Sequence, residues 1–143
     1  MTAVYPTKYI LVVVTRKGCP ACMHLGRTWE TTVKFIRNEF SGTLLDIKRL
    51  DISEASTPSF LRSPGFVKMF PYFMIFRRAD YDGCVSTGKP NPDLTNVYYD
   101  HSKTNTLPRP DDLMGWIKTS LHAPSGSYQT IESSNQIIFY PVK

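Results

Sequence analysis

The chain has 143 residues, 41% apolar and 20% charged, an ordinary globular composition that suffices for one core. Its net charge of +5 comes from 17 basic residues dispersed among 12 acidic ones, which argues for a solvated surface and against a nucleic-acid partner. The N-terminal apolar run is too short for a membrane span and lacks the cleavage site of a secretory leader, so no membrane association and a cytoplasmic location are expected.

Met1 to Thr7 is polar, contains Pro6 and reads as a lead-in. Lys8 to Thr15 (KYILVVVT) is β-branched and almost continuously apolar, as a central strand covered on both faces should be. From Pro20 the period changes. Cys22, Leu25, Trp29, Val33, Ile36 and Phe40 recur at steps of three and four, one face of a helix of about five turns, with Gly42 as its stop. Thr43 to Ile52 (TLLDIKRLDI) alternates and predicts a second strand. With a crossover helix between them, the two strands should be parallel.

Ser53 to Met69 is broken by Pro58, Pro64 and Gly65, leaving a short irregular helix around Thr57 to Arg62. Phe70 to Phe76 (FPYFMIF) is a third strand with its proline at the entrance, where a strand tolerates one. Arg77 to Pro92 holds Asp82-Gly83, Gly88, Pro90 and Pro92 and reads as an extended connection, with Cys84 near a turn. Leu94 to Asp100 is expected to pair antiparallel with the third strand. Pro108 to Asp112 then opens a last helix whose apolar face is Leu113, Trp116, Ile117 and Leu121. The domain so outlined runs from 8 to 122. Residues 123–143 form a C-terminal extension in which Gln136 to Val142 reads as an added edge strand, a dimer contact or a disordered tail.

The chemistry concentrates in Gly18-Cys19-Pro20-Ala21-Cys22, at the step from the first strand to the first helix. Cys19 falls at the helix N-terminus, where free N–H groups and the positive end of the dipole favour a thiolate. Pro20 suits the first helical position, and Lys17, Arg16 and Arg27 add positive charge. Cys22, one turn on, faces inward and can close a disulfide with Cys19. The competing use is zinc, which takes four ligands. There is no second Cys-x-x-Cys, and Cys84, His24, His101 and His122 are scattered without ligand spacing, so no metal is expected. Three cysteines make no disulfide scaffold, and in a reducing compartment such a pair is catalytic rather than structural. Cys84 reads as an inert thiol, His24 as a surface residue.

The order of elements, with Cys19-Pro20-Ala21-Cys22 and Phe70-Pro71 as anchors, resembles the thioredoxin superfamily from about Lys8 to Leu121. The resemblance implies an α/β fold with a mixed central sheet of about four strands flanked by helices. It also implies a cis Phe70–Pro71 bond packed against the cysteines. Two departures stand out. Gly18 occupies the place of the usual tryptophan, and Val13 that of a buried acid which accepts the proton of the second cysteine. The proline after Cys19 is closer to glutaredoxins, but their glutathione-holding Gly-Gly and acidic cap are missing after Asp100. Similarity to divergent members from large DNA viruses is one of general appearance, carried by no residue.

The function so implied is thiol–disulfide exchange with no cofactor: Cys19 attacks and Cys22 resolves. Phe70 and Pro71 line the groove for an extended substrate, while Lys17 and Pro20 modulate Cys19. Partners would be proteins carrying disulfides or thiols and a recycling reductase or oxidase. The alternative is a binding or structural protein of the same fold whose cysteine motif is vestigial.

Overall fold

A computed structural model describes residues 9–40, 44–90, 97–99, 107–122, 130–131 and 137–139 of the chain. The architecture is α/β. The central strand β1 (Tyr9–Thr15) pairs in parallel with β2 (Leu45–Asp51) and antiparallel with β3 (Tyr72–Arg77). These three long strands form one side of a mixed sheet, with β2 at its edge. Of the fourth strand expected over Leu94 to Asp100, the described part is β4 (Val97–Tyr99), antiparallel to β3; residues 94–96 and 100 lie outside the described set. Beyond it the backbone of the C-terminal extension adds β5 (Thr130–Ile131) and β6 (Ile137–Phe139), giving the order β2-β1-β3-β4-β6-β5.

Alternation along β1 sorts the core into two layers. Leu11 and Val13 point to one face, where they join Leu45, Phe73 and Ile75 beneath two helices, α1 (Pro20–Glu39) and α3 (Pro110–His122). From those helices Leu25, Ile36, Leu113, Trp116 and Ile117 complete the layer. Ile10, Val12 and Val14 point to the other face with Tyr72, Met74 and Phe76, covered by a 3-10 turn (Ser59–Arg62) and by α2 (Arg78–Thr87). Because both faces are covered, β1 needs no polar positions, and Ile10 to Val14 are all 0% exposed. On the α2 side Phe60 meets Phe66, Phe76 and Tyr81 edge-on at 5.7–6.1 Å. Such pairs add about 0.5–1.5 kcal/mol each beyond area burial.

Three expectations need correction. Arg77 to Pro92 is not an extended connection, since its first half is α2. Gly83 lies inside that helix, and Gly88, at φ +74°, is its left-handed C-cap, donating to the Cys84 carbonyl at 2.9 Å. Cys84 therefore sits in a helix, buried against the sheet, and not near a turn. On α1, Thr32 is buried and Val33 only half-buried. The apolar stripe bends because Thr32 returns its hydroxyl to the Thr28 carbonyl at 3.0 Å and so enters the core satisfied. The same helix is capped at Phe40, while Gly42 lies outside the described residues. No helix among the described residues is long and apolar enough to cross a membrane.

Candidate functional site

The carboxyl end of β1 and the first turn of α1 meet the loop before β3. The chain leaves β1 through Arg16 and Lys17 and reverses at Gly18, whose φ of +76° lies in the region that a side chain disfavours. Serine 53 steadies this turn by accepting the Lys17 N–H at 3.4 Å. Cys19 is the N-cap of α1 in extended conformation, and Pro20 takes the first helical position, where its missing N–H leaves no unmet donor. Lys17 and Pro20 are exposed.

As a cap, Cys19 uses its sulfur. Its Sγ accepts the backbone N–H of Cys22 at 3.2 Å, and its carbonyl accepts that of Met23 at 3.1 Å. The same Sγ donates to the Phe70 carbonyl at 3.8 Å. The Phe70–Pro71 bond is cis, and Pro71 is buried. The two pairs singled out in the sequence therefore meet: Cys19 and Cys22 from α1, Phe70 and Pro71 from the entry to β3. All three cysteines are free thiols, and Cys19 and Cys22 are 5% and 3% exposed.

Burial pushes the Cys22 thiol up to about 11, and its hydrogen bond with Cys19 adds to the rise. Against these act the backbone N–H of Arg16 and the positive charge of Arg49. Cys22 therefore keeps its proton, while its backbone N–H is donated to the Cys19 sulfur.

Phe70 is half-buried. Its ring packs against the layer under α2, and the Arg16 guanidinium lies 4.9 Å from the ring centroid, a cation–π contact of about 0.5–1 kcal/mol at such an exposed site. Val13 is buried in the α1-side layer with apolar neighbours. His24 is exposed beside the helix start, on the rim of a groove of about 300 Å³ between α1 and Leu107 to Pro110. His101 lies outside the described residues. Among the described residues no group of three or more His, Cys, Asp or Glu side chains could hold a metal ion.

Arg49 was not among the expected site residues. It stands opposite Val13 in the β1–β2 register and donates to the Cys22 carbonyl at 3.4 Å. Its route crosses Gly26, where a Cβ would come within 3.3 Å of the guanidinium. A signal did exist. Leu45 and Ile47 lie on the α1 face of β2, and the next position in that alternation is Arg49, a charge where an apolar residue belongs. No protein-family model matches this chain, and no curated protein is similar to it.

Proposed function

We propose that the chain is a thiol–disulfide oxidoreductase of thioredoxin-like fold, acting on protein disulfides through Cys19 and Cys22. One observation carries the reading: the Cys19 sulfur caps α1 by accepting the Cys22 N–H, and its thiol donates to the Phe70 carbonyl at the entry to β3. An acceptor sulfur at a helix N-terminus is suited to bear negative charge and so to act as nucleophile.

In the first step the Cys19 thiolate attacks a substrate disulfide. One substrate sulfur leaves as thiolate, and a mixed disulfide joins Cys19 to the other. Cys22 then loses its proton and attacks the Cys19 sulfur. The second substrate thiolate leaves and a Cys19–Cys22 disulfide forms. The substrate gains two electrons and the protein loses two, to be returned by an external dithiol reductant. Run backwards, the same steps oxidise a substrate dithiol, and the relative potentials set the direction. Phe70 backbone groups would pair with an extended substrate segment, as in strand addition.

A second reading rests on a specific observation: Cys19 is only 5% exposed, and buried sulfurs are generally inert. On that reading the fold is a binding or structural module and the pair is vestigial. Reductant-driven turnover of a disulfide-bonded protein substrate separates the two. The oxidoreductase reading expects turnover that Cys19→Ser abolishes and Cys84→Ser keeps. Absence of turnover in the native protein, together with alkylation of Cys19 no faster than of Cys84, would establish the second.

A further inference from the structure

Resolution of a mixed disulfide requires Cys22 to ionise, in a place that disfavours it. Cys22 is 3% exposed, and what surrounds it can be named. From its own helix comes Cys19, which will be a neutral disulfide sulfur at that stage. From the end of β1 comes the Arg16 backbone N–H. A positively charged side chain also reaches Cys22: Arg49, from β2, lies on the Cys22 carbonyl and favours the ionised thiol.

Arg49 reaches this position because two things allow it. Its slot on β2 faces α1, in register with Val13, and Gly26 leaves the helix surface bare where the guanidinium crosses it. The Cys22 carbonyl then accepts its Nη2 hydrogen at 3.4 Å. An arginine keeps its charge at every relevant pH. It is thus a permanent cation at the second cysteine and not a proton acceptor.

We propose that Arg49 is a positioning residue for the resolving step, holding positive charge beside the thiolate that Cys22 must present to release substrate from Cys19. The inference rests on the oxidoreductase reading, with the exchange chemistry unchanged. Cys22 gives its proton to solvent, its electron pair goes to the Cys19 sulfur, and the bond from Cys19 to substrate breaks. Arg49 is itself exposed, so water screens its effect and a modest factor is expected.

The test uses one equivalent of a symmetric nitrobenzoate disulfide, whose released thiolate is coloured, mixed rapidly with the reduced full chain carrying Cys84→Ala. Attack by Cys19 releases the first thiolate and resolution by Cys22 the second, so the two steps appear as two phases. Arg49→Ala should slow the second phase about two- to fivefold, the range of an exposed charge pair, and move its pH midpoint upward, while the first phase keeps its rate. Arg49→Lys should recover most of the loss. Added salt should slow the second phase of the parent and hardly affect Arg49→Ala. Gly26→Ala, which crowds the guanidinium, should slow that phase by less. A second phase unchanged in rate, pH midpoint and salt dependence in Arg49→Ala would overturn the inference while leaving the oxidoreductase reading intact. Absence of a Cys19-dependent first phase in the parent would overturn that reading and this inference with it.

Discussion

Two helices meet the sheet from opposite faces, and each brings cysteine to it at a different place along its length. On α1 the sulfurs belong to the N-cap and the first turn; on α2, Cys84 is in the last turn, and its carbonyl holds the C-cap of Gly88. Burial does not distinguish them, at 5%, 3% and 1% exposed for Cys19, Cys22 and Cys84. Surroundings do. Cys19 receives a backbone N–H and sits where the helix presents its positive end, while Cys84 packs among Phe60, Phe76 and Tyr81 where the helix presents carbonyls. The same side chain is a candidate nucleophile in one place and a small apolar residue in the other.

The largest expected effect breaks that contrast or upholds it. Replacing Cys19 by serine should lower disulfide exchange at least about a hundredfold, since the attacking thiolate is gone. Chemical denaturation of Cys84→Ser should show a loss of about 1–3 kcal/mol, the usual cost of a hydroxyl in an apolar layer. Its exchange rate should stay within about twofold of the parent, since Cys84 forms none of the bonds made or broken in the exchange. If the two substitutions exchange these outcomes, the wrong helix has been assigned the chemistry.

Next in size is an alkaline loss of stability. Cys22 holds its proton up to about 11 in the folded reduced chain and to about 9.0 when unfolded, so between those values the unfolded state binds fewer protons and folding weakens as pH rises. Tyr99, buried and near Asp112, is pushed up to about 12 and acts in the same direction; burial also raises Tyr81. Thermal melting of the reduced protein should therefore be independent of these groups below about pH 9 and fall above it. The slope should be shallower in Cys22→Ser and in Tyr99→Phe. A melting temperature that held steady up to pH 11 would contradict the burial argument for all three. The smallest effect is expected at Gly26. Alanine in mid-helix is worth about 0.5–1 kcal/mol over glycine, partly offset by the 3.3 Å approach to Arg49, so Gly26→Ala should melt slightly higher than the parent.

Much of this was legible in the residues, and the remainder shows where pattern reading stops. The strands Tyr9–Thr15 and Tyr72–Arg77 carry nearly continuous apolar runs and are buried almost throughout, and the helix Pro20–Glu39 carries a long period that its burial follows except at Thr32 and Val33. Helix α2 was missed because it buries only Tyr81 and Cys84, too few for a stripe, and because Asp82-Gly83 and Gly88 carry turn chemistry. In the fold Gly88 ends the helix, whereas Gly83 has open space around it and interrupts nothing. The meeting of Cys19 with Phe70 was anticipated from the family resemblance. Arg49 was not anticipated, since its role depends on a register between strands and on the bare surface of Gly26, neither of which is local in sequence.

In the proposed exchange Cys19 attacks and Cys22 releases. Cys22→Ser removes only the second act, so mixed disulfides should persist and collect on Cys19. Expressed in its native setting and run on a non-reducing gel, Cys22→Ser should show added bands, strongly enriched over the parent and lost on reduction. Cys19→Ser should show none of them, and Cys84→Ser should leave the parent pattern unchanged. Bands that survive Cys19→Ser, or a clean gel for Cys22→Ser where a control oxidoreductase traps partners, would contradict it.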